Sequence, residues 1–537
     1  MARAFLARRF APVLLILAWL DGLNMVAPAA PTPTPLTAEE QATLRRYAQD
    51  TWRSFQKLTF PSGLPADSLP RRGDGWSDPV MRTSPSNIGA YLWSVVAAER
   101  LHLIGPAEAA SRLKTTLATL AGMERIHGFF VNNLDPRTGA MLRISPWDAR
   151  PIRHRLSAVD NAWLAVGLTM VANTAPSLRS RVSQLLEPMD FRFFYDPYDP
   201  TDPVSHPGQL RVGFWVPDRI YYGHYGLLNT EARIISYLAI ARGQLPPDHY
   251  YRILRTLPET SRQQQSPRGQ TREYHGVKVF EGSYEYRGVR IVPSWGGSMF
   301  EALMVPLFVP EEVWAPRSWG INHSLYAAAQ IAHGLEEAGY GYWGFSPAAS
   351  PRGGYRVYGV DALGTWADGY RSFEVDPSLP ASPTRSAPGR RLGHGVATPY
   401  ASFLALRYAP HAAVANLRAL CKAFPIYSPL GFLDSVDVSS GVAAGSILAV
   451  DQGMILAAIA NQLADDAMRH AFSDGAIERA IRPLIAEEEF YAGTMDLGPT
   501  LAVQPRENDR PARGTRPRVE RAGVSVAQPP AISAAGR

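Results

Sequence analysis

Apolar residues recur at three- and four-residue spacing along most of this chain, in segments that follow one another in pairs between loops rich in Gly, Pro and aromatic residues. That is the signature of amphipathic helices. Thr37-Ala38-Glu39-Glu40 has the form of a capping box ahead of a helix reaching about Leu58. The same periodicity predicts helices over 86–103, 106–125, 157–171, 178–186, 226–242, 247–256, 298–307, 323–338, 399–406, 411–422, 445–463 and 476–487, with no convincing run of alternating strands. The loops at 128–156, 189–222, 257–297 and 340–398 are long, and loops of that length inside a compact domain usually carry function.

A dozen helices in consecutive pairs suit an all-α fold, an α/α toroid whose inner helices bury their faces together while long aromatic loops form a cleft at one rim. One domain over 37–490 is the economical reading. Its length leaves a division near residue 190 as an alternative.

The two ends of the chain read differently. Arg3, Arg8 and Arg9 precede an apolar run from Ala11 to Leu20 and then Ala27-Pro28-Ala29. This order predicts a secretory signal peptide over 1–29, with an uncleaved anchor as the alternative. No later stretch approaches the length of a membrane span, so the mature chain is expected to be exported and soluble, in the periplasm or the medium, without a stable span. Residues 30–36 alternate Pro and Thr as an extended spacer. Residues 491–537, rich in Pro, Arg and Ala, predict a disordered tail.

Charge changes the picture once it is located. The formal net charge is +6, but the first 29 residues carry +2 and residues 491–537 carry +3, leaving a nearly neutral body with little to attract nucleic acid. Cys421 is the single cysteine, which excludes an internal disulfide framework and any multi-thiolate metal centre. The histidines lack ligand-like spacing and no phosphate-binding loop of the Walker type is present, so no metal, nucleotide or other cofactor is expected.

Six motifs in order carry a resemblance. Arg82-Thr83-Ser84-Pro85-Ser86-Asn87-Ile88-Gly89 resembles the R-T-S-P-T-N-I-G segment of bacterial cyclic β-1,2-glucan synthases. Asn229-Thr230-Glu231-Ala232-Arg233 with Ser236-Tyr237-Leu238-Ala239-Ile240-Ala241 resembles their S-E-A-R-L-x-S-F-x-A-I-A helix. Ser294-Trp295-Gly296-Gly297-Ser298-Met299-Phe300-Glu301 is similar to S-W-S-G-S-M-F-E. Trp343-Gly344-Phe345-Ser346, Ala397-Thr398-Pro399-Tyr400-Ala401 and Asp451-Gln452-Gly453-Met454 resemble W-G-I-S, V-A-P-Y-A and H-Q-G-M. The resemblance runs from about residue 50 to 490 and is to the glycoamylase-like family, which holds the transglycosylase domain of those synthases and is akin to bacterial endo-β-1,2-glucanases. It implies an (α/α)6 toroid and glycosidic-bond chemistry on a glucan.

That chemistry needs a carboxylic acid to protonate the leaving oxygen and a second carboxylate to attack the anomeric carbon or activate water. Glu231 stands at the family's acid/base position, after an aromatic run (Tyr221, Tyr222, Tyr225) able to desolvate it; the competing reading pairs it with Arg233 or Arg242 on a helix face. The family's nucleophile follows W-G-I-S, where this chain has Pro347. Another carboxylate must then serve, and inversion becomes the expected course. Asp160, Asp361 and Glu301 are the candidates, with Glu301 expected to hold sugar hydroxyls and each open to a purely structural role. Trp295, Trp343, Tyr355 and Trp366 are the expected stacking platforms, with core packing as their alternative; Arg82, Asn87 and Arg233 are candidate hydroxyl ligands. The leading expectation is an exported hydrolase or transglycosylase of a β-glucan. The alternatives are a glucoamylase-like hydrolase of another glucan and a non-catalytic glucan-binding protein.

Overall fold

The N-terminal helix begins as its first four residues dictate. Thr37 Oγ1 accepts the Glu40 N–H at 3.2 Å while Glu40 Oε2 accepts the Thr37 N–H at 2.8 Å, so two otherwise orphaned donors are satisfied reciprocally. The computed structural model describes residues 35–494 apart from 259, 260, 262, 366–371 and 375–394. The predicted signal peptide, most of the spacer, residues 495–537 of the predicted tail and Trp366 lie outside the described residues, while the start of that tail is corrected: Gly493–Thr494 is a strand paired with Val289 and Arg290.

The described α-helices are α1 (Ala38–Leu58), α2 (Pro85–Arg100), α3 (Pro106–Gly122), α4 (Ala158–Thr174), α5 (Arg179–Leu186), α6 (Arg233–Ala241), α7 (His249–Arg252), α8 (Met299–Leu303), α9 (Glu311–Trp314), α10 (Trp319–Ala332), α11 (Pro399–Leu404), α12 (Pro410–Ala423), α13 (Ala449–Leu463), α14 (Ala467–Ser473) and α15 (Ala476–Ala486). Six of them close a ring: α2 packs on α4, α4 on α6, α8 on α11, α11 on α13 and α13 on α2. The remaining junction, α6 to α8, is made by the Arg233 guanidinium, which donates to the carbonyls of Glu301 at 3.0 Å and Ala302 at 2.8 Å. Outside the ring lie α1 on α13, α3 on α2, α5 on α4, α15 on α6, α10 on α8 and α12 on α11. The inner helices α2, α4 and α13 are apolar nearly all round, as helices packed on every side must be. Because α4 and α6 are neighbours in one ring, the helices on either side of residue 190 share a core.

Close approach in the ring depends on small residues. At Gly89 a methyl group would lie 2.4 Å from the Trp163 carbonyl oxygen, so α2 and α4 touch backbone to backbone there. The C-terminal end of the ring is closed by α14, which packs on α4, α13 and α2. The N-terminal ends of the inner helices therefore face the open rim.

The all-α expectation needs correction. The long loops fold into several small sheets, including the hairpin of Arg268–Tyr274 with Val277–Tyr286 and the antiparallel pair Gln209–Trp215 with Ile220–His224. Val277, Val279 and Glu281 point inward along Val277–Tyr286 while Lys278 and Phe280 point out. The inward charged Glu281 and outward Phe280 conceal the two-residue period that marks a strand. Helix starts also shift: 226–232 is turn rather than helix, and 446–448 is a strand that pairs with Ser68–Leu69–Pro70 before α13 begins. None of the described helices is long and apolar enough to cross a membrane.

Candidate active site

Four inner helices deliver their third residue to the same place. In α2, Ser84 Oγ accepts the Asn87 N–H at 3.3 Å; in α4, Ser157 Oγ accepts the Asp160 N–H at 3.3 Å; in α8, Ser298 Oγ accepts the Glu301 N–H at 3.2 Å. Each is a serine N-cap followed three residues later by a polar side chain, and α13 places Asp451 at the corresponding position after Leu448. Asn87, Asp160, Glu301 and Asp451 all line a single cavity of about 710 Å³ at the rim, together with Asp67 and Glu231. Helix N-termini carry partial positive charge, so this end of the ring favours carboxylates.

Glu231 is held differently, in the turn just before α6. Trp163 Nε1–H donates to its Oε2 at 2.5 Å, and its own main-chain N–H donates to Glu301 Oε2 at 2.9 Å. Burial, with the nearby charges of Glu301 and Asp160, pushes its carboxyl well above the ordinary carboxylate range against the opposing pull of the Trp163 N–H. The environment thus favours the protonated form of this side chain beside an open cavity. Tyr222 and Tyr225 line the same wall, whereas Tyr221 faces away and packs on Phe193 and Phe214.

The competing partners of Glu231 are occupied elsewhere. Arg233 is fully buried, with Nε donating to Glu311 Oε1 at 2.7 Å and Nη2 to Glu311 Oε2 at 2.9 Å. Arg242 donates to the Leu186 carbonyl at 2.7 Å. The expectation that Arg233 binds sugar is therefore corrected: its five donors are spent on the Thr230 carbonyl, on the Glu301 and Ala302 carbonyls of α8 and on Glu311.

Asp160 stands one helix away on the wall of Glu231. It accepts Ser86 Oγ–H at 2.6 Å and Asn132 Nδ2–H at 2.5 Å, so both its oxygens are oriented. Arg82 also lines the cavity, reaching Asp67 Oδ1 and Asn133 Oδ1 and stacking on Trp147 with its guanidinium carbon 5.1 Å from the ring centroid. Asn87 Nδ2 donates to Asp67 Oδ1 at 2.8 Å. Trp295 and Tyr355 line the cavity, and Trp147, Trp215 and Tyr222 add aromatic surface to it.

Two further expectations need correction. Asp361 does not line the cavity: it is buried in a 3-10 turn behind the Trp295 loop, where Gln264 Nε2 donates to it at 3.4 Å. Trp343 is 2% exposed and belongs to the core, its main chain bridged by the Asn416 amide. Pro347 does line the cavity, with its carbonyl accepting the Tyr400 hydroxyl at 2.6 Å.

Sequence reading passed over Asp67, Asn132, Trp163, Asp434 and Asp451. Asp67 and Asn132 sit in irregular loops with no local signal. Trp163 had one: it follows Asp160 by three residues and so shares its helix face. Asp451 was visible too, occupying the place of the histidine in H-Q-G-M. Among the described residues no His, Cys, Asp or Glu grouping could hold a metal ion.

A double ring of helices carries acidic side chains at one rim, and part of the chain is similar to the glycoamylase family. Residues 270–474 match the glycoamylase family model, described as "Putative glucoamylase", and residues 46–193 match one described as "Protein of unknown function (DUF3131)". The chain is similar to the cyclic beta-(1,2)-glucan synthase NdvB of Rhizobium meliloti, 26% identical over 605 alignment positions that take in 86% of this chain. It spans only 19% of that relative's length. Among solved structures, it superposes on an endo-beta-1,2-glucanase from Chitinophaga pinensis, in complex with sophorotriose and glucose, with TM-score 0.58 and 15% identity over 84% of this chain and 98% of the other. A "putative glucoamylase" from Bacteroides caccae gives TM-score 0.57 and 16% identity over 85% and 99%. At these identities the structural likeness is one of fold.

Proposed function

We propose that this protein is an exported glycoside hydrolase that cleaves a β-glucan, β-1,2-linked, with inversion at the anomeric carbon. The observation that carries the reading is Glu231, a carboxyl whose pKa is raised by burial and by Glu301 and Asp160, on the wall of a cavity large enough for several sugar rings. Glu231 gives its proton to the glycosidic oxygen as the bond to C1 lengthens. Charge then develops at the anomeric centre inside a cavity lined by carboxylates, which stabilises the oxocarbenium-like transition state.

The remaining cavity groups suit a sugar. Trp295, Tyr355 and Trp215 offer faces for C–H surfaces, while Asn87, Asn132 and Arg82 offer fixed donors for hydroxyls. The linkage rests on similarity: the synthase and the C. pinensis glucanase are both named for β-1,2-glucan. Export rests on the pattern of residues 1–29.

The reading is tested by reducing-sugar release from linear β-1,2, β-1,3 and α-1,4 glucans, with Glu231→Gln as the paired variant. Turnover of the β-1,2 polymer alone, lost in Glu231→Gln, is expected. One observation favours a second reading: Pro347 lines the cavity at the position where the resemblance implies a catalytic glutamate, so a glucan-binding protein without turnover would bind the β-1,2 polymer and release nothing.

A further inference from the structure

An inverting hydrolase needs a base on the far side of the sugar from its acid, and Asp160 lies on the near side, one helix from Glu231. In the ring order α2, α4, α6, α8, α11, α13 the helix opposite α6 is α13, with two helices between them in either direction. Asp451, in the first turn of α13, lines the cavity from that opposite side although it is 2% exposed.

Its surroundings are unlike those of Asp160. No protein N–H or hydroxyl reaches the buried Asp451 Oδ2 or Asp434 Oδ1, and the two carboxyl groups lie close enough to influence one another's ionisation. Burial, and then the neighbouring Asp434 carboxyl, pushes Asp451 well above the ordinary carboxylate range, so the pair favours sharing one proton over ionising twice. Asp434 is fixed from behind by the main-chain N–H of Ala349, and it does not line the cavity. Tyr355, Asp451 and Glu231 line the same cavity, which places the Asp451 carboxyl and the acid around one cleft.

We infer that Asp451, paired with Asp434, is the base that activates water in this cleft. The inference rests on the hydrolase reading above. With one proton held by the pair, the free oxygen of Asp451 takes a proton from water. The water oxygen bonds to C1 as the C1–O bond to the leaving sugar breaks, and Glu231 supplies the proton to the departing oxygen. The pair, now carrying both protons, loses one to solvent and Glu231 regains one, so the cycle closes on water alone. Asp434 does not touch the reacting atoms and acts as a positioning residue.

Asp451→Ala and the isosteric Asp451→Asn are compared with the parent in the full chain on linear β-1,2-glucan. The inference predicts a kcat about 10²–10⁴-fold lower in both with KM little changed, and partial rescue of Asp451→Ala by azide with formation of a glycosyl azide of inverted configuration. Parent-like kcat in Asp451→Asn overturns it, as does a raised KM at unchanged kcat, which would make Asp451 a hydroxyl-holding group. A parent that releases no sugar removes the hydrolase reading and this inference together; an active parent silenced by Glu231→Gln but not by Asp451→Asn removes this inference alone.

Discussion

Glu231 is the residue on which the chemistry turns, and its environment makes two measurable demands. Unfolded, its carboxyl titrates near its ordinary 4.5, whereas folded it holds its proton to higher pH. Below the unfolded value both states are protonated and the site contributes nothing to pH dependence. Above it the unfolded chain ionises first, so stability is lost as pH rises toward the folded value. Glu231→Gln, which does not titrate, is expected to melt at a higher temperature than the parent at pH 7 and at an equal one near pH 4, in paired thermal scans. Glu301→Gln makes the second demand. It keeps an oxygen for the Glu231 N–H and removes the charge that raises the Glu231 pKa, so the alkaline limb of kcat/KM is expected to move to lower pH. An unmoved limb would show that the Glu301 charge does not set the value.

At the scale of elements, the site is assembled by helix starts. Ser84, Ser157 and Ser298 cap three inner helices and fix the side chains at Asn87, Asp160 and Glu301. These starts were partly legible, because a serine three residues ahead of an acidic or amide side chain is a recognised signal. The start of α6 was not. Periodicity carried the predicted helix back to residue 226, yet the chain stays in a turn through Glu231, and Thr230 Oγ1 takes the Ala232 N–H at 3.2 Å. That turn lets Glu231 reach Trp163, and only the tertiary contact specifies it. The junction at Gly89 gives an element-scale prediction. Gly89→Ala places a methyl group 2.4 Å from the Trp163 carbonyl and drives α2 from α4. It should cost about 1–3 kcal/mol in denaturant unfolding and lower activity through the Trp163–Glu231 contact, whereas an unchanged midpoint would contradict the close packing described.

For the molecule as a whole, the paired helices announced themselves through spacing, and the ring order follows from their contacts. The sheets did not, because short strands such as Val277–Tyr286 mix inward charge with outward aromatic side chains. Site residues divide along the same line. Those in helix first turns or beside them, Asn87, Asp160, Glu231 and Glu301, line one cavity. Arg233, Trp343 and Asp361 were misplaced because a motif shows that a residue is fixed, not whether it faces the cavity or the core. The mismatch at Pro347 sent attention to Asp361, while the carboxyl pair of Asp434 and Asp451 is joined only by folding, 17 residues apart in sequence. The most direct test of the account is proton NMR of linear β-1,2-glucan during the first turnovers, for the parent and for Glu231→Gln. The account predicts reducing ends that appear as the α-anomer and then mutarotate, with none from the variant; a variant that releases sugar at the parent's rate would contradict it.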